Sequence, residues 1–175
     1  MADFTFAYAN VRSITASDDT GSRIDHISNL LILPHKCDLF ACTETHLSDL
    51  IDDDRISISN FSLIRRDRNR RAGDTAIYIR ADLKYRRRID FENPNLELIW
   101  VEVILSDGSK LLFGVCYRPP GQSAKERTDF LYNFETTFDH ISSSNENFYS
   151  IILTGDFNDS CSAWDGDHYN SELKK

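Results

Sequence analysis

A carboxylate and a carboxamide follow directly after the most apolar run near the end of the chain. The run 151–153 is typical of a buried strand, and Asp156 and Asn158 stand two residues apart just beyond it. Alternation along an extended chain puts these two side chains on one side, with Phe157 directed toward the core. An ordinary Gly-Asp-x-Asn turn accounts for the stretch equally well. Taken alone, the stretch therefore leaves a polar site and a simple turn open.

The same order of residues, an apolar run and then a polar group, occurs three more times. Asn10 follows an alternating strand, Glu44 follows a short apolar strand, and Tyr117 ends the second strand of a predicted hairpin. In α/β proteins the ends of buried strands are rigid and face a crevice, so ligands and catalytic groups collect there. Each residue alone is explained as a turn or cap residue, but four at one edge of a sheet would form a site.

The elements that carry these groups predict an α/β sandwich. The opening strand, helix and strand form a βαβ-like unit, and the later strands pair as hairpins around turn residues. We find no repeat, low-complexity region or linker, so residues 1–175 are predicted to be a single domain. Strands are predicted at 4–10, 38–43, 61–66, 75–80, 96–105, 111–117 and 150–154, and helices at 24–31 and 124–141.

The composition is that of a globular protein, with 41% hydrophobic and 27% charged residues. No apolar stretch reaches the roughly 18 residues of a membrane span, and no secretory signal precedes the first strand. The four cysteines, Cys37, Cys42, Cys116 and Cys161, form no C-x-x-C pair and have no histidine at zinc-ligand spacing. We therefore expect free thiols in an intracellular, non-secreted protein without a membrane partner.

The net charge of −8 argues against a generally basic surface for nucleic acid, but the charges are unevenly distributed. Basic runs occupy 65–71 and 84–88, whereas acidic residues collect at 52–54 and 156–167. A protein that binds a polyanion on one side and a divalent cation on another would have this pattern. A solvated surface is the commoner explanation of such runs.

Six short motifs occur in a fixed order from one end of the chain to the other, and Trp164 follows the last of them. Each motif alone is weak, but the ordered set resembles the endonuclease/exonuclease/phosphatase superfamily, which has the deoxyribonuclease-I-like fold. Within it, the endonuclease domain of non-LTR retrotransposons is the most similar. The resemblance implies a four-layer α/β/β/α sandwich of two mixed sheets flanked by helices. The motifs are YANVRSI (8–14), CTETHL (42–47), AIYIR (76–80), WVEV (100–103), VCYRPP (115–120) and GDFN (155–158).

The resemblance also implies a chemistry, the hydrolysis of a phosphodiester. This reaction needs a cation on a phosphate oxygen, an in-line water and a base for its proton. By resemblance, Glu44 binds Mg²⁺, or Mn²⁺ in its place, and Asn10 is a second ligand or orients Glu44. Asp156 matches the residue that aligns or deprotonates the water. Asn158 and Tyr117 match residues that hydrogen-bond to the phosphate.

The same resemblance makes DNA the substrate, held through its phosphate backbone by the two basic runs. In the first run Arg68, Arg70 and Arg71 are the candidates. Arg12 and Arg118 each adjoin a site residue, and two prolines stiffen the loop that carries Arg118. A DNA substrate makes the nucleus a plausible location for the protein.

Two features depart from the family pattern. The residues 72–75 are less glycine-rich than usual, and the family's further strands and final Ser-Asp-His-like motif are missing. Asp167 and His168 follow Asn158 by only about ten residues, with no strand predicted between, so they are not taken as a substitute. We expect a domain that lacks its last strands, in a protein that continues into a reverse transcriptase domain.

Three functions are open on these grounds, and the missing motif leaves it uncertain whether this chain is an enzyme. The first is a Mg²⁺-dependent DNA-nicking endonuclease of a retroelement. The second is an inactive remnant that keeps the fold and a capacity to bind nucleic acid. The third is a phosphoinositide phosphatase or a sphingomyelinase-like phosphoesterase of the same fold.

Overall fold

A computed structural model describes residues 4–19, 21–32, 36–67 and 73–159, and the backbone of 162–165 and 168–171. No helix among these residues is long and apolar enough to cross a membrane. The helices are α1 (Arg23–His26), which continues as a π-helix over Ile27–Ile32, and α2 (Ala124–Ser143), with 3₁₀ turns at Asp53–Ile56 and Ile89–Phe91. The strands are β1 (Phe6–Asn10), β2 (Ser17–Asp18), β3 (Gly21–Ser22), β4 (Leu39–Thr43), β5 (Phe61–Arg66), β6 (Thr75–Arg80), β7 (Lys84–Arg87), β8 (Glu97–Ile104), β9 (Lys110–Tyr117), β10 (Ser150–Asp156), β11 (Ser162–Asp165) and β12 (His168–Ser171).

Eight of the strands form two four-stranded mixed sheets. The first sheet has the order β1-β4-β6-β5 and the second the order β10-β9-β8-β7. In each sheet one pair is parallel, β1 with β4 and β10 with β9, and the other pairs are antiparallel. Both sheets therefore have two strands that end at the same edge. The short pairs β2–β3 and β11–β12 are separate antiparallel hairpins.

The two sheets pack face to face around an apolar core. Alternation along each strand places every second side chain in this core, as expected for strands that are buried on both faces. The core residues are Leu39, Ala41, Ile77 and Ile79 of the first sheet, and Ile99, Val101, Val103, Leu111, Phe113 and Val115 of the second. Each of them is 3% exposed or less, so the two sheets form one unit.

Helices cover the outer faces of both sheets. Phe40 and Tyr78 of the first sheet pack against Ile27 and Ile32 of the first helical segment. Helix α2 covers the second sheet, and the ring of its Phe138 meets Trp100 edge to face. The four layers confirm the α/β/β/α sandwich that the resemblance implies.

Gly114 of β9 lies where Trp100 and Leu153 converge. A Cβ atom added there would lie 2.5 Å from Cζ3 of Trp100 and 2.9 Å from Cδ1 of Leu153. We expect Gly114→Ala to lower the free energy of unfolding by about 1–3 kcal/mol, because a packed core does not accept extra volume. Urea denaturation followed by fluorescence measures the change. The exposed Lys125→Ala should stay within about 0.5 kcal/mol of wild type, and equal midpoints for both variants would contradict the packing.

The predicted strands and the second helix agree with the structure to within two or three residues, but β2, β3, β7, β11 and β12 were not predicted. Strand β7 coincides with the second basic run, which the sequence indicated only as a charged surface. The prediction of no strand between Asn158 and His168 is wrong, because β11 lies there and pairs with β12. A Gly-Asp pair at 166–167, between the paired Asp165 and His168, is a hairpin signal that this prediction overlooked.

Candidate functional site

The inward-facing side chains change from apolar to polar at one edge of the sandwich. Strands β1, β4, β9 and β10 end at this edge, whereas β6 and β8 begin there. The residues at these positions can hydrogen-bond or carry charge, so the edge holds a polar site supported by a rigid core. They are Asn10, Thr43, Thr75, Glu97, Tyr117 and Asp156.

A hydrogen bond between Asn10 and Asp156 joins the two sheets at this edge. Nδ2 of Asn10 donates to Oδ2 of Asp156 at 2.9 Å. The other carboxylate oxygen accepts the backbone N–H of Asn158 at 3.1 Å. The amide oxygen of Asn10 accepts the backbone N–H of Arg12 at 3.3 Å. Both side chains are thus fixed in orientation, and Asn10 contacts Asp156.

Glu44 stands just past β4 in a left-handed conformation, with φ of 53°. The backbone N–H of Ser13 donates to the carbonyl of Glu44 at 2.7 Å and holds this turn. A residue other than glycine rarely adopts this conformation, and such residues cluster at functional sites. The hydroxyl of Tyr117 donates to Oε1 of Glu44 at 3.4 Å. The structure thereby joins the predicted cation ligand to a predicted phosphate ligand.

Burial, together with nearby negative charge, raises the pKa of two tyrosines at the site. Burial raises the pKa of Tyr117 to about 12, and the charges of Glu44, Glu97 and Asp156 add to this rise. Burial also raises the pKa of Tyr8 to about 12, with further contributions from Asp156 and Glu44. Both hydroxyl groups are therefore protonated at neutral pH and able to donate hydrogen bonds.

This negative charge suits a divalent cation. Among the residues that the structure describes, no three or more His, Cys, Asp or Glu side chains form a metal cluster. Mg²⁺ does not need such a cluster, because it keeps several of its waters and binds through one or two carboxylates. Glu44, with Asn10 on the neighbouring strand, fits this mode of binding.

The turn after β10 is fixed against the end of β9. Nδ2 of Asn158 donates to the carbonyl of Arg118 at 2.8 Å, and the N–H of Arg118 donates to the carbonyl of Asp156 at 2.8 Å. Gly155 permits this approach, since a Cβ atom there would lie 1.8 Å from the carbonyl oxygen of Cys116. The ring of Phe157 packs against Phe134 of α2, which confirms its predicted inward direction.

The arginines predicted to bind DNA have different environments. Arg12 is exposed beside the site. Arg118 is only 9% exposed, and its guanidinium group donates to Gln122 and lies over the ring of Phe130. It thus faces α2, and its phosphate contact stays a prediction. Arg68, Arg70 and Arg71 lie outside the described residues.

Two arginines of the second basic run form ion pairs within the fold. Arg87 binds both carboxylate oxygens of Glu92 at 2.8 Å. Arg88 is buried and donates to Glu102 at 2.9 Å. Arg88 therefore faces the protein interior rather than DNA, whereas Arg87 is half-buried and its phosphate contact stays a prediction.

Two site residues were missed by the sequence interpretation. Tyr8 precedes Asn10 by two positions and therefore lies on the same face of β1. Glu97 is paired with Tyr117 in the β8–β9 hairpin, and its Oε2 accepts the N–H of Asp74 at 2.8 Å. Strand alternation could have identified Tyr8, and the register of the β8–β9 hairpin could have identified Glu97. A cleft of about 760 Å³ continues from Glu97 and Tyr117 along α2.

No protein-family model matches the sequence, and the comparison with curated proteins found no match. Solved structures match over most of the chain. The endonuclease domain of TRAS1, a telomere-specific non-LTR retrotransposon, has a TM-score of 0.62 at 12% identity, over 94% of this chain and 65% of that one. The 3′ phosphatase NExo from Neisseria, bound to a product DNA hairpin, has a TM-score of 0.58 at 15% identity, over 89% and 58%.

A third structure, an AP endonuclease from Archaeoglobus fulgidus, matches with a TM-score of 0.55 at 14% identity, over 89% of this chain and 58% of that one. These are proteins of the endonuclease/exonuclease/phosphatase fold, and the chain has this fold. It spans less than two thirds of the length of each of the three.

Proposed function

We propose that this chain hydrolyses phosphodiester bonds with the help of a divalent cation, and that DNA is the substrate. One observation carries the proposal. The hydrogen bonds from Asn10 to Asp156 and from Tyr117 to Glu44 bring a carboxylate from each sheet, an amide and a protonated hydroxyl to one edge. These are the groups that phosphodiester hydrolysis requires, as cation ligand, water-aligning base and phosphate ligands.

Asp156 is the proposed residue that aligns the attacking water and accepts its proton. Its two oxygens accept one hydrogen bond each from Asn10 and Asn158, which fixes the plane of the carboxylate. Each oxygen retains a lone pair for a water molecule. A carboxylate held in this way is oriented before the substrate arrives, which is what a positioned base needs.

Tyr117 and Asn158 are the proposed ligands of the scissile phosphate. The hydroxyl of Tyr117 is protonated at neutral pH and can donate to a phosphate oxygen. The Asn158 amide uses one of its two N–H groups on the carbonyl of Arg118, so the second can bind a phosphate oxygen. Donors held by the backbone stabilise charge that develops in the transition state.

Glu44 and Asn10 are the proposed residues for holding Mg²⁺, with Mn²⁺ as the alternative. When bound, the cation polarises a phosphate oxygen and neutralises developing negative charge. Glu44 is held in its left-handed turn, and Tyr117 donates to it. The chain thus offers the ion an oriented carboxylate rather than a complete set of ligands.

The fuller proposal is the DNA-nicking endonuclease of a retroelement, acting in the nucleus. The likeness to the endonuclease domain of a non-LTR retrotransposon supports this proposal, as does the likeness to a 3′ phosphatase bound to a product DNA hairpin. In the same proposal residues 1–175 belong to one domain, and a reverse transcriptase domain is its partner. Exposed Arg12 and the arginines at 68, 70 and 71 contact the DNA backbone.

A substrate panel tests the proposal. Supercoiled plasmid, a duplex with one abasic site, and a phosphoinositide are each incubated with the purified chain in Mg²⁺ and in EDTA. We expect EDTA-sensitive nicking of the plasmid and no release of phosphate from the lipid. Turnover of the phosphoinositide alone would favour a lipid phosphatase. Salt-dependent binding of plasmid without turnover would favour the inactive remnant.

A further inference from the structure

A hydrogen bond between Tyr8 and Thr43 lies beside the candidate site, and none of the roles given above uses it. The two hydroxyl oxygens are 2.8 Å apart. Tyr8 stands on β1 two residues before Asn10, and Thr43 is the last residue of β4, directly before Glu44. The bond therefore joins the two parallel strands whose ends carry the proposed cation ligands.

Tyr8 supplies a partner that the position of Thr43 demands. Thr43 is fully buried at the end of the core between the sheets. Buried hydroxyl groups are nearly always hydrogen-bonded. Thr45 lies two residues after Thr43, and Thr75 is the register partner of Thr43 on β6. Both are also buried, and within the described part of the chain their hydroxyl groups have no hydrogen-bond partner. Of these three buried threonines, Thr43 thus has a side-chain hydrogen bond, and that bond ties the end of β4 to β1.

The backbone around Glu44 is held from the other side. The N–H of Val11 donates to the carbonyl of Thr43 at 3.0 Å, and the N–H of Ser13 donates to the carbonyl of Glu44 at 2.7 Å. Glu44 has φ of 53° between these contacts. A strained conformation of this kind persists only where the surroundings determine it fully. A change at the Thr43 side chain would therefore alter the orientation of Glu44.

We infer that Tyr8 is a positioning residue of the phosphoesterase site, which acts through the hydroxyl of Thr43 to fix the end of β4 and the direction of Glu44. The inference rests on the proposed function, since Glu44 is the proposed cation ligand. Tyr8 has no assigned contact with substrate. Its effect is on the geometry of the site, and small errors of geometry reduce rates strongly.

Tyr8→Phe removes the hydroxyl and leaves the ring in the core. We expect kcat for plasmid nicking to fall about 3–10-fold, the scale of one hydrogen bond, with KM for the plasmid unchanged. Thr43→Val, which removes the other partner, should give the same fall. The double variant should be no slower than either single variant, because both substitutions remove one and the same bond. A fall equal to the product of the single effects would overturn the inference.

Tyr78→Phe is the matched control. The hydroxyl of Tyr78 donates to the carbonyl of Ile56 at 2.8 Å, on the face of the first sheet that packs against the helices. This variant also removes one buried tyrosine hydroxyl from the same sheet, so stability should fall as in Tyr8→Phe. Its kcat should match that of wild type. Equal kcat for wild type, Tyr8→Phe and Tyr78→Phe would reduce the Tyr8 bond to a purely structural role and overturn the inference.

Amide hydrogen exchange gives a readout that does not depend on turnover. The N–H of Ser13 reports on Glu44, because it donates to the carbonyl of that residue. Relative to amides of the core strands, its exchange should be about 3–10-fold faster in Tyr8→Phe and unchanged in Tyr78→Phe. If wild type shows no nicking, the proposed function fails. The exchange rate of Ser13 then still decides whether Tyr8 positions Glu44, and an unchanged rate in Tyr8→Phe contradicts it.

Discussion

Asp156→Asn is expected to lower kcat for plasmid nicking by about 10²–10⁴-fold, the usual contribution of a positioned general base. The substitution keeps the size of the side chain and one carbonyl oxygen, so the hydrogen bond from Asn10 can persist. It removes the negative charge that aligns the water and accepts its proton. Single-turnover nicking assays at saturating enzyme measure the effect on the chemical step.

The neighbouring Asp159→Asn is the control for this change. Asp159 lies on the same turn, three residues farther along, and pairs with Arg127 of α2 at 3.5 Å. Its loss removes one carboxylate from the same region without touching the site. We expect nicking within about twofold of wild type, since partly exposed ion pairs contribute little. A similar loss of rate in both variants would point to a general effect of charge and against a specific role of Asp156.

Glu44→Gln is expected to lower the nicking rate by about 10²–10³-fold and to raise the Mg²⁺ concentration needed for half-maximal rate. The carboxamide keeps the shape of the side chain and can still accept the hydrogen bond from Tyr117. It loses the charge that a hard cation requires of its ligand. The conformation of the turn should persist, because backbone contacts from Ser13 hold it.

Binding of Mn²⁺, followed by electron paramagnetic resonance, distinguishes a role of Glu44 in cation binding from a role in catalysis alone. Wild type and the exposed control Glu135→Gln should bind the ion with equal affinity. Glu44→Gln should bind it about tenfold or more weakly, because loss of a partner of a metal ligand already lowers affinity about 10–100-fold and Glu44 is proposed to be a ligand itself. Undiminished Mn²⁺ binding by Glu44→Gln would place the cation elsewhere.

Much of the site could be predicted because its residues follow apolar strands. Asn10, Glu44, Tyr117 and Asp156 each stand where an apolar run ends, and strand ends of one sheet meet at one edge. What brings them together is the pairing of β1 with β4 and of β10 with β9, and the stacking of the two sheets. We could predict that arrangement only from the family resemblance, which the order of the motifs indicates.

Contacts between distant side chains could not be predicted. Asn10 and Asp156 are 146 positions apart, so no local pattern links the amide to that carboxylate. The contacts of the Arg118 guanidinium group with Gln122 and Phe130 likewise follow from no local pattern. Loop side chains have no alternation that fixes their direction, whereas strand side chains do.

Charge runs were the least informative part of the sequence. The partners of Arg87 and Arg88 include Glu92 and Glu102, and the latter belongs to the neighbouring strand. The sequence alone therefore suggested that this run binds DNA, whereas the structure shows that two of its arginines have carboxylate partners. Glu97 escaped notice for a related reason, since only the hairpin register places it opposite Tyr117.

Nicking of supercoiled plasmid by the purified 175-residue chain tests the central claim most directly. Wild type and Asp156→Asn are compared side by side in Mg²⁺ and in EDTA. We predict that wild type converts supercoiled plasmid to the open circle in Mg²⁺ only, and that Asp156→Asn does so at least about 10²-fold more slowly. Equal nicking by both proteins, or nicking by wild type that EDTA does not affect, would contradict a phosphoesterase site at this edge.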